Sequence, residues 1–335
     1  LQSAQINLKL FWNTGMMKSH KSAATLEFTI MHQTLTDLIH QASRIVLGKE
    51  RQVRLALTCL MARGHLLIED VPGIGKTTLA HTLARLLGLD FQRIQCTNDM
   101  LPGDILGVSV FERQTDRFVF HPGPIFAQSV LVDEINRATP KTQSGLLEAM
   151  AEGQISLDRQ THPLPRPFFV IATQNPLEQA GTYPLPQSQL DRFLMRISLG
   201  YPSREAELSL LHGIDRRELL QDVQPVLNAS DVLAMQAAVS AVQASSALLA
   251  YIQDILAFSR DRMKLDNGLS PRAGLALLSC ARGWAFLQQR DFVLPEDVQA
   301  VLPHVIGHRL RSSLESSSSA GQTQADQLLS NVPVP

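Results

Sequence analysis

The chain has 335 residues, 44% hydrophobic and 18% charged, an ordinary composition for a folded protein with room for two domains. Thirty basic against 31 acidic side chains leave a net charge of -1, which excludes a global attraction to nucleic acid or to an anionic membrane. Cys59, Cys96 and Cys280 lie far apart, with no C-x-x-C pair and no His spacing suited to zinc, so they read as buried thiols in a reducing, cytoplasmic compartment.

Residues 1–30 begin with Leu1, mix polar and apolar types and lack the continuous apolar run of a signal peptide; a flexible extension is expected. From Met31 the positions Leu35, Leu38, Ile39, Ala42 and Ile45 recur at helical spacing, and a second helix is expected over residues 50–62. Val46-Leu47-Gly48 lies between them. Residues 65–78, His-Leu-Leu-Ile-Glu-Asp-Val-Pro-Gly-Ile-Gly-Lys-Thr-Thr, read as a strand, a loop and the opening of a helix. Gly73 and Gly75 let backbone N–H groups close around phosphate oxygens, Lys76 can reach the β- and γ-phosphates, and Thr77 can ligate Mg²⁺. The general pattern G-x-x-x-x-G-K-[ST] has glycine where this chain has Asp70, so the loop alone does not settle the matter.

Further strands are expected at residues 91–96, 129–133, 168–172 and 193–199, separated by helical patterns such as residues 141–152. That alternation predicts an α/β three-layer domain with a mainly parallel sheet over residues 31–201. Two pairs of short segments, 108–112 with 117–121 and 154–158 with 161–164, break the rhythm and read as projecting hairpins. Residues 202–311 are helical only, over 231–262, 271–289 and 295–310, and form a second, small helical domain. The uncharged run 232–253 is interrupted by Gln236, Ser240, Gln243, Ser245 and Ser246, which favours an amphipathic helix over a membrane span. Ser, Gln and Pro dominate residues 312–335, where disorder is expected.

The third strand stops at Asp133 and Glu134, which places two carboxylates at the sheet edge where open α/β sheets bind ligands. An isolated Asp-Glu pair is ordinarily a solvated turn. Behind a Gly-Lys-Thr loop, Asp133 reads as a Mg²⁺ ligand, direct or through water, and Glu134 as the group that polarises an attacking water. Asn175 follows the fourth strand and could orient that water, or simply start a turn before Pro176. Arg192 and Arg272 are ordinary surface charges if taken alone, but phosphoryl transfer gains much from a guanidinium on the developing charge. His304 and His308 lack a third ligand and read as structural, and Arg309 as a surface or subunit contact.

Over residues 31–311 the chain resembles AAA+ ATPases of the MoxR family. The resemblance rests on Leu-Ile-Glu-Asp-Val-Pro-Gly-Ile-Gly-Lys-Thr from Leu67, Gly-Pro-Ile-Phe-Ala from Gly123, Val-Asp-Glu-Ile-Asn-Arg-Ala from Val132, Ala-Thr-Gln-Asn-Pro from Ala172, Leu-Asp-Arg-Phe from Leu190 and Ser-Pro-Arg from Ser270. Loops of this family often carry Glu-Asp-Val-Pro-Gly, so Asp70 becomes a subfamily mark. The resemblance implies a P-loop NTPase three-layer αβα domain of AAA+ type with a small C-terminal helical lid, using ATP and Mg²⁺. It implies that Asp70, Val71, Pro72, Gly73, Ile74, Gly75, Lys76, Thr77 and Thr78 form the Walker A loop, and that Val46, Leu47 and Gly48 line the adenine. Asp133 and Glu134 become Walker B, Asn175 sensor 1, Arg192 an arginine finger acting on a neighbouring subunit, and Arg272 the sensor 2 residue of the lid. It further implies a homo-oligomer, a hexameric ring, that reshapes a protein client, with a von Willebrand factor A domain protein as partner in the maturation of metal- or cofactor-containing enzymes. The hairpins resemble inserts facing the pore or top of such rings. Two alternatives are a nucleic-acid motor, for which Arg113, Arg117 and His121 are a weak sign offset by Glu112 and Asp116, and a nucleotide-dependent scaffold without turnover.

Overall fold

Strand β1 (Leu66–Glu69) is too apolar to leave either face in water, and it sits inside a five-stranded sheet. The computed structural model describes residues 20–114, 116–176, 180–213, 216–261, 263, 268–310 and 320–334. Ahead of β1 run helices α1 (His20–Ile45) and α2 (Glu50–Met61), and after it come α3 (Lys76–Leu86), β2 (Phe91–Gln95) and α4 (Pro102–Leu106). Hairpin β3 (Gly107–Glu112) and β4 (Arg117–Pro122) leads to β5 (Ser129–Asp133) and α5 (Pro140–Glu152), then hairpin β6 (Gln154–Leu157) and β7 (Gln160–Pro163). Strand β8 (Phe169–Gln174), the short α6 (Gln187–Leu190) and β9 (Met195–Ile197) complete the α/β part.

The strand order is β2-β5-β8-β1-β9, every pairing parallel, so all five carboxyl ends share one edge. Alternate residues face opposite layers. Leu66 and Ile68 of β1, Leu131 of β5 and Ile171 of β8 pack with α1, α2 and α3, whereas Leu67, Val132 and Ala172 pack with α5 on the other side. The expected three-layer arrangement and both hairpins are present, and the hairpins touch through stacking of Phe120 on His162, with ring centroids 4.0 Å apart.

Beyond β9 lie α7 (Arg204–His212), α8 (Arg216–Asp222), α9 (Ala229–Ala241), α10 (Ser246–Asp261), α11 (Pro271–Leu287), α12 (Pro295–Ile306) and α13 (Ala320–Asn331). The helix expected over 231–262 is divided in two. Gln243 leaves the helical path to pair with the 291–293 segment, its N–H donating to the Asp291 carbonyl at 2.8 Å and its carbonyl accepting from Val293 at 2.9 Å, while the Ser245 hydroxyl takes up the Leu248 N–H. These C-terminal helices share one core with α1 and α2. Gln236 donates to the Leu60 carbonyl at 2.8 Å, and a Cβ on Gly283 would meet the Thr58 carbonyl oxygen at 3.0 Å.

Both chain ends depart from expectation. Residues 1–19 and 311–319 lie outside the described residues, but α1 starts at His20, so the flexible extension expected through residue 30 overlaps a helix. Phe28 anchors it, packing edge-on against His32 and Phe286 at 4.1 and 5.7 Å between centroids. The expected disordered tail contains α13, whose Ala325 and Leu328, with Val332 just beyond, are buried in the main core. Sparse apolar residues among Ser and Gln hid this helix, because three buried contacts at helical spacing are enough to hold it. Arg309, expected at the surface, is also buried. Its guanidinium pairs with Asp191 at 2.7 Å and donates to the Phe193 carbonyl at 2.8 Å, tying the end of α12 to the approach to β9. His304 and His308 hold backbone carbonyls of Arg196 and Phe193, a structural role as expected. No described helix is long and apolar enough to cross a membrane.

Two outcomes test this architecture. Leu328→Ala should lower unfolding stability by about 2–5 kcal/mol in urea titration, whereas a tail free of the core would leave it unchanged. His65 accepts from the Val170 N–H at 3.1 Å through Nδ1 and meets the Met150 carbonyl at 3.1 Å through Nε2, an arrangement that only the neutral ring satisfies. Burial pushes its pKa down to about 4. As pH falls from about 6.5 toward 4 the unfolded chain binds a proton that the fold refuses, so stability should drop by up to about 3 kcal/mol from this group, and His65→Gln should flatten the slope.

Candidate functional site

The phosphate loop leaves the carboxyl end of β1 and enters α3 at Lys76. Gly73 and Gly75 adopt φ of +84° and +96°, a region that L side chains rarely enter, and a Cβ at either would meet nothing within 4 Å. The loop therefore keeps glycine for its backbone path and leaves an open concavity beside the first turn of α3, where a helix offers free N–H groups to an anion. Val71, Ile74, Thr77 and Thr78 are half-buried and Pro72 is exposed. The Lys76 ammonium lies across the loop, donating to the Asp70 carbonyl at 2.6 Å and the Val71 carbonyl at 3.2 Å. Burial draws its pKa below the ordinary lysine value, against the opposing pull of Asp70, Asp133 and Glu134. The Asp70 carboxylate faces away from the concavity toward the end of β9 and accepts from the Ser198 hydroxyl at 2.7 Å and the Gly200 N–H at 2.6 Å.

Two strands away, β5 delivers Asp133 and Glu134 to the same edge. Asp133 is 6% exposed, takes the Arg93 guanidinium at 2.7 Å and accepts from the Thr173 hydroxyl at 3.1 Å. Glu134 follows in a left-handed conformation, φ 55° and ψ 50°, unusual for a residue with a Cβ. Its N–H donates to the same Thr173 hydroxyl at 3.0 Å, and its carboxylate is held by the Gln95 amide at 3.0 Å and by Arg137 at 3.1 Å. Thr173 therefore fixes the Asp133 carboxylate and the Glu134 backbone at once. Sequence reading passed over it, along with Arg93 and Gln95, although Thr173 stands inside the Ala-Thr-Gln-Asn-Pro motif. Asn175 follows β8 at this edge, half-buried.

Among the described residues no group of three His, Cys, Asp or Glu could hold a metal ion without help. The Asp133 carboxylate, 6% exposed, and the Thr77 hydroxyl are hard oxygen donors of the kind that suits Mg²⁺ together with substrate phosphates. Of the expected adenine wall, Val46 is buried in the core, Leu47 half-buried and Gly48 exposed, close under α7: a Cβ on Gly48 would stand 3.2 Å from the Ala206 Cβ.

Arg192 and Arg272 are elsewhere. Arg192 precedes β9, and since Leu194 donates to the His65 carbonyl at the start of β1, Arg192 belongs to the amino edge of the sheet. Its Nη1 is buried and finds no hydrogen-bond partner among the described residues. Arg272 opens α11 and lies 4.0 Å from Asp191, next to Arg192 in the chain. Within one copy the chain brings together the loop, Asp133, Glu134 and Asn175, and sets the two arginines at the opposite edge.

A parallel sheet with a phosphate loop after β1, carboxylates after β5 and a helical C-terminal region defines a P-loop ATPase of AAA type. The profile of the ATPase family associated with various cellular activities (AAA) matches residues 65–195, and that of the AAA lid domain matches residues 258–331. The Mycobacterium tuberculosis chaperone MoxR1 is 39% identical over 288 residues, 83% of this chain and 75% of that protein. Protein MoxR of Paracoccus denitrificans is 33% identical over 303 residues, 83% and 89% of the two chains. An uncharacterized Bacillus subtilis protein, YeaC, is 42% identical over 307 residues, 91% of this chain and 96% of that one. A Cytophaga hutchinsonii crystal structure, classed provisionally as an ATPase, superposes with TM-score 0.85 at 34% identity, covering 94% of this chain and 98% of that one. The chain belongs to the MoxR family of AAA+ ATPases, and nucleotide binding accompanies that membership.

The doubly bonded Thr173 hydroxyl carries its own test. Thr173→Val keeps the shape but takes a hydrogen bond from the buried Asp133 carboxylate and another from the part-buried Glu134 N–H, so stability should fall by about 1–3 kcal/mol. The Glu134 amide should also exchange about tenfold faster or more by hydrogen exchange, with nucleotide affinity nearly unchanged by equilibrium titration.

Proposed function

We propose that this chain hydrolyses ATP at a site completed by a second copy of itself, and uses the cycle to reshape a protein client. Lys76 binds the β- and γ-phosphates, Glu134 takes a proton from the attacking water, and Asn175 orients that water. Thr77 and Asp133 would hold Mg²⁺, which when bound would supply neutralising charge to the phosphates. The observation that carries the reading is the division of charges between the two sheet edges. The groups that bind and activate lie at the carboxyl edge, whereas Arg192 and Arg272 lie together near Asp191 at the amino edge. A head-to-tail contact between copies brings the two edges face to face, and closing such contacts makes a ring, hexameric by analogy with the family. Arg192, with an unsatisfied guanidinium N–H, acts as the finger, and Arg272 acts beside it on the same neighbouring nucleotide.

The client surface we assign to the β3–β4 hairpin. Val108, Val110, Phe111 and Phe118 are exposed there, Phe118 to 72%, and the Glu112, Arg113, Asp116 and Arg117 charges offset one another. An apolar, near-neutral hairpin suits a polypeptide better than a phosphate backbone. Similarity to chaperone MoxR1 and to MoxR proteins supports a chaperone role; a cytoplasmic location and a von Willebrand factor A domain partner that brings the client complete the proposal.

The decisive experiment mixes two inactive variants. Lys76→Ala and Arg192→Ala should each abolish turnover, and mixed assemblies should recover a part of it, because one interface in the mixture pairs an intact loop with an intact finger. No recovery in assemblies shown to contain both chains would remove Arg192 from the neighbouring site. Glu134→Gln should keep ATP binding and lose hydrolysis by about 100-fold or more; normal hydrolysis would overturn its role. Stimulation by DNA in the same assay would favour the nucleic-acid motor.

A further inference from the structure

The residue that replaces the leading glycine of the phosphate loop is joined to more of the site than any glycine could be. The Asp70 N–H donates to the Gln174 carbonyl at 3.1 Å, immediately before Asn175, and its carbonyl accepts the Lys76 ammonium at 2.6 Å. Its carboxylate, on a residue only 9% exposed, accepts from the Val71 N–H at 2.8 Å, the Ser198 hydroxyl at 2.7 Å and the Gly200 N–H at 2.6 Å. Beside it Lys49, also buried, donates to the Tyr201 carbonyl at 2.7 Å. Burial alone would raise the Asp70 pKa, yet these hydrogen bonds, that from Gly200 foremost, hold it below the ordinary aspartate value; the fold binds the carboxylate ionised. Residues 198–201 are the last of the α/β part before α7, and they lead into the C-terminal helices.

We propose that Asp70 is a positioning residue whose carboxylate clamps the start of the phosphate loop to residues 198–201, so that the loop carrying Lys76 and the chain entering the lid keep one fixed relation. The carboxylate does not touch the nucleotide. It acts through Lys76 on one side and through Gly200 on the other, and it links the state of the phosphates to the placement of α7 and the helices beyond. A glycine at this position could supply the backbone bonds but not the clamp. Lys49 reinforces it, adding a cation next to Asp70 and a second bond to the same segment.

The kinetic part of the inference rests on the ATP-hydrolysis reading, and the structural part does not, so two measurements are made on the full chain. Hydrogen exchange without nucleotide reads the clamp directly. In Asp70→Asn and in Ser198→Ala the Gly200 amide should exchange about tenfold faster or more, with α11 unchanged; an unchanged Gly200 amide overturns the clamp. In steady-state kinetics Asp70→Asn should lower kcat by about tenfold with KM for MgATP moving less than about threefold, and Ser198→Ala should move kcat in the same direction by less. The double variant should be no worse than Asp70→Asn, since both act through one set of bonds. A rise in KM at constant kcat would mean that Asp70 contacts the nucleotide, and fully multiplicative losses would mean two independent effects; either overturns the proposal. Should Asp70→Asn fail to fold, Ser198→Ala decides alone by the same two readouts. A wild-type chain without turnover sinks the hydrolysis reading and leaves the exchange result to judge the clamp.

Discussion

The parallel register between β5 and β8 is the constraint on which the site depends. Val132 lies opposite Ala172, so the next residues on each strand, Asp133 and Thr173, emerge together at the sheet edge. Because successive side chains on a strand point to opposite faces, a slip of one residue would turn Thr173 away and leave the Glu134 N–H unsatisfied in its left-handed turn. The register is held by burial: Val130, Leu131, Val132, Val170, Ile171 and Ala172 are all at most 1% exposed, and each has a place in one layer only. The apolar core thus decides where the Asp133 carboxylate, the Glu134 N–H and the Thr173 hydroxyl meet.

The opposite edge is organised by charge. Asp191 holds Arg309 at 2.7 Å and lies 4.0 Å from Arg272, which joins α6, α11 and α12 at one point. Arg309 is buried and satisfied by backbone carbonyls of the turn into β9 in addition to Asp191, the condition under which a buried guanidinium is tolerated. Arg272, more than half exposed, has no such enclosure and stays available at the surface. Two arginines that share one aspartate are thus enclosed to different degrees, the Arg309 side chain at 5% exposure and that of Arg272 at 57%.

Much of the fold was legible from residue pattern. The strands, the glycine loop and the hairpins follow from short-range periodicity and from backbone requirements that neighbouring residues declare. Less legible were the ends and the breaks: α13, whose few apolar residues gain their meaning only from the core they enter, and the division between α9 and α10, where Gln243 prefers a strand-like pairing with the segment around Phe292. Arg309 looked like a surface charge because nothing nearby in sequence announces Asp191, 118 residues away.

The same division runs through the site. By itself the sequence determined the loop, the lysine, the paired carboxylates and the membership that they signal, since each is a local arrangement of residue types and spacings. Only tertiary structure decided that Thr173 ties the Asp133 carboxylate to the Glu134 backbone, that Arg272 stands with Arg192 at the far edge, and that the Asp70 carboxylate turns to Ser198 and Gly200, 128 and 130 residues along the chain. Those bonds join segments distant in sequence, and strand order, register and packing choose such partners, none of which is written in any short stretch of residues.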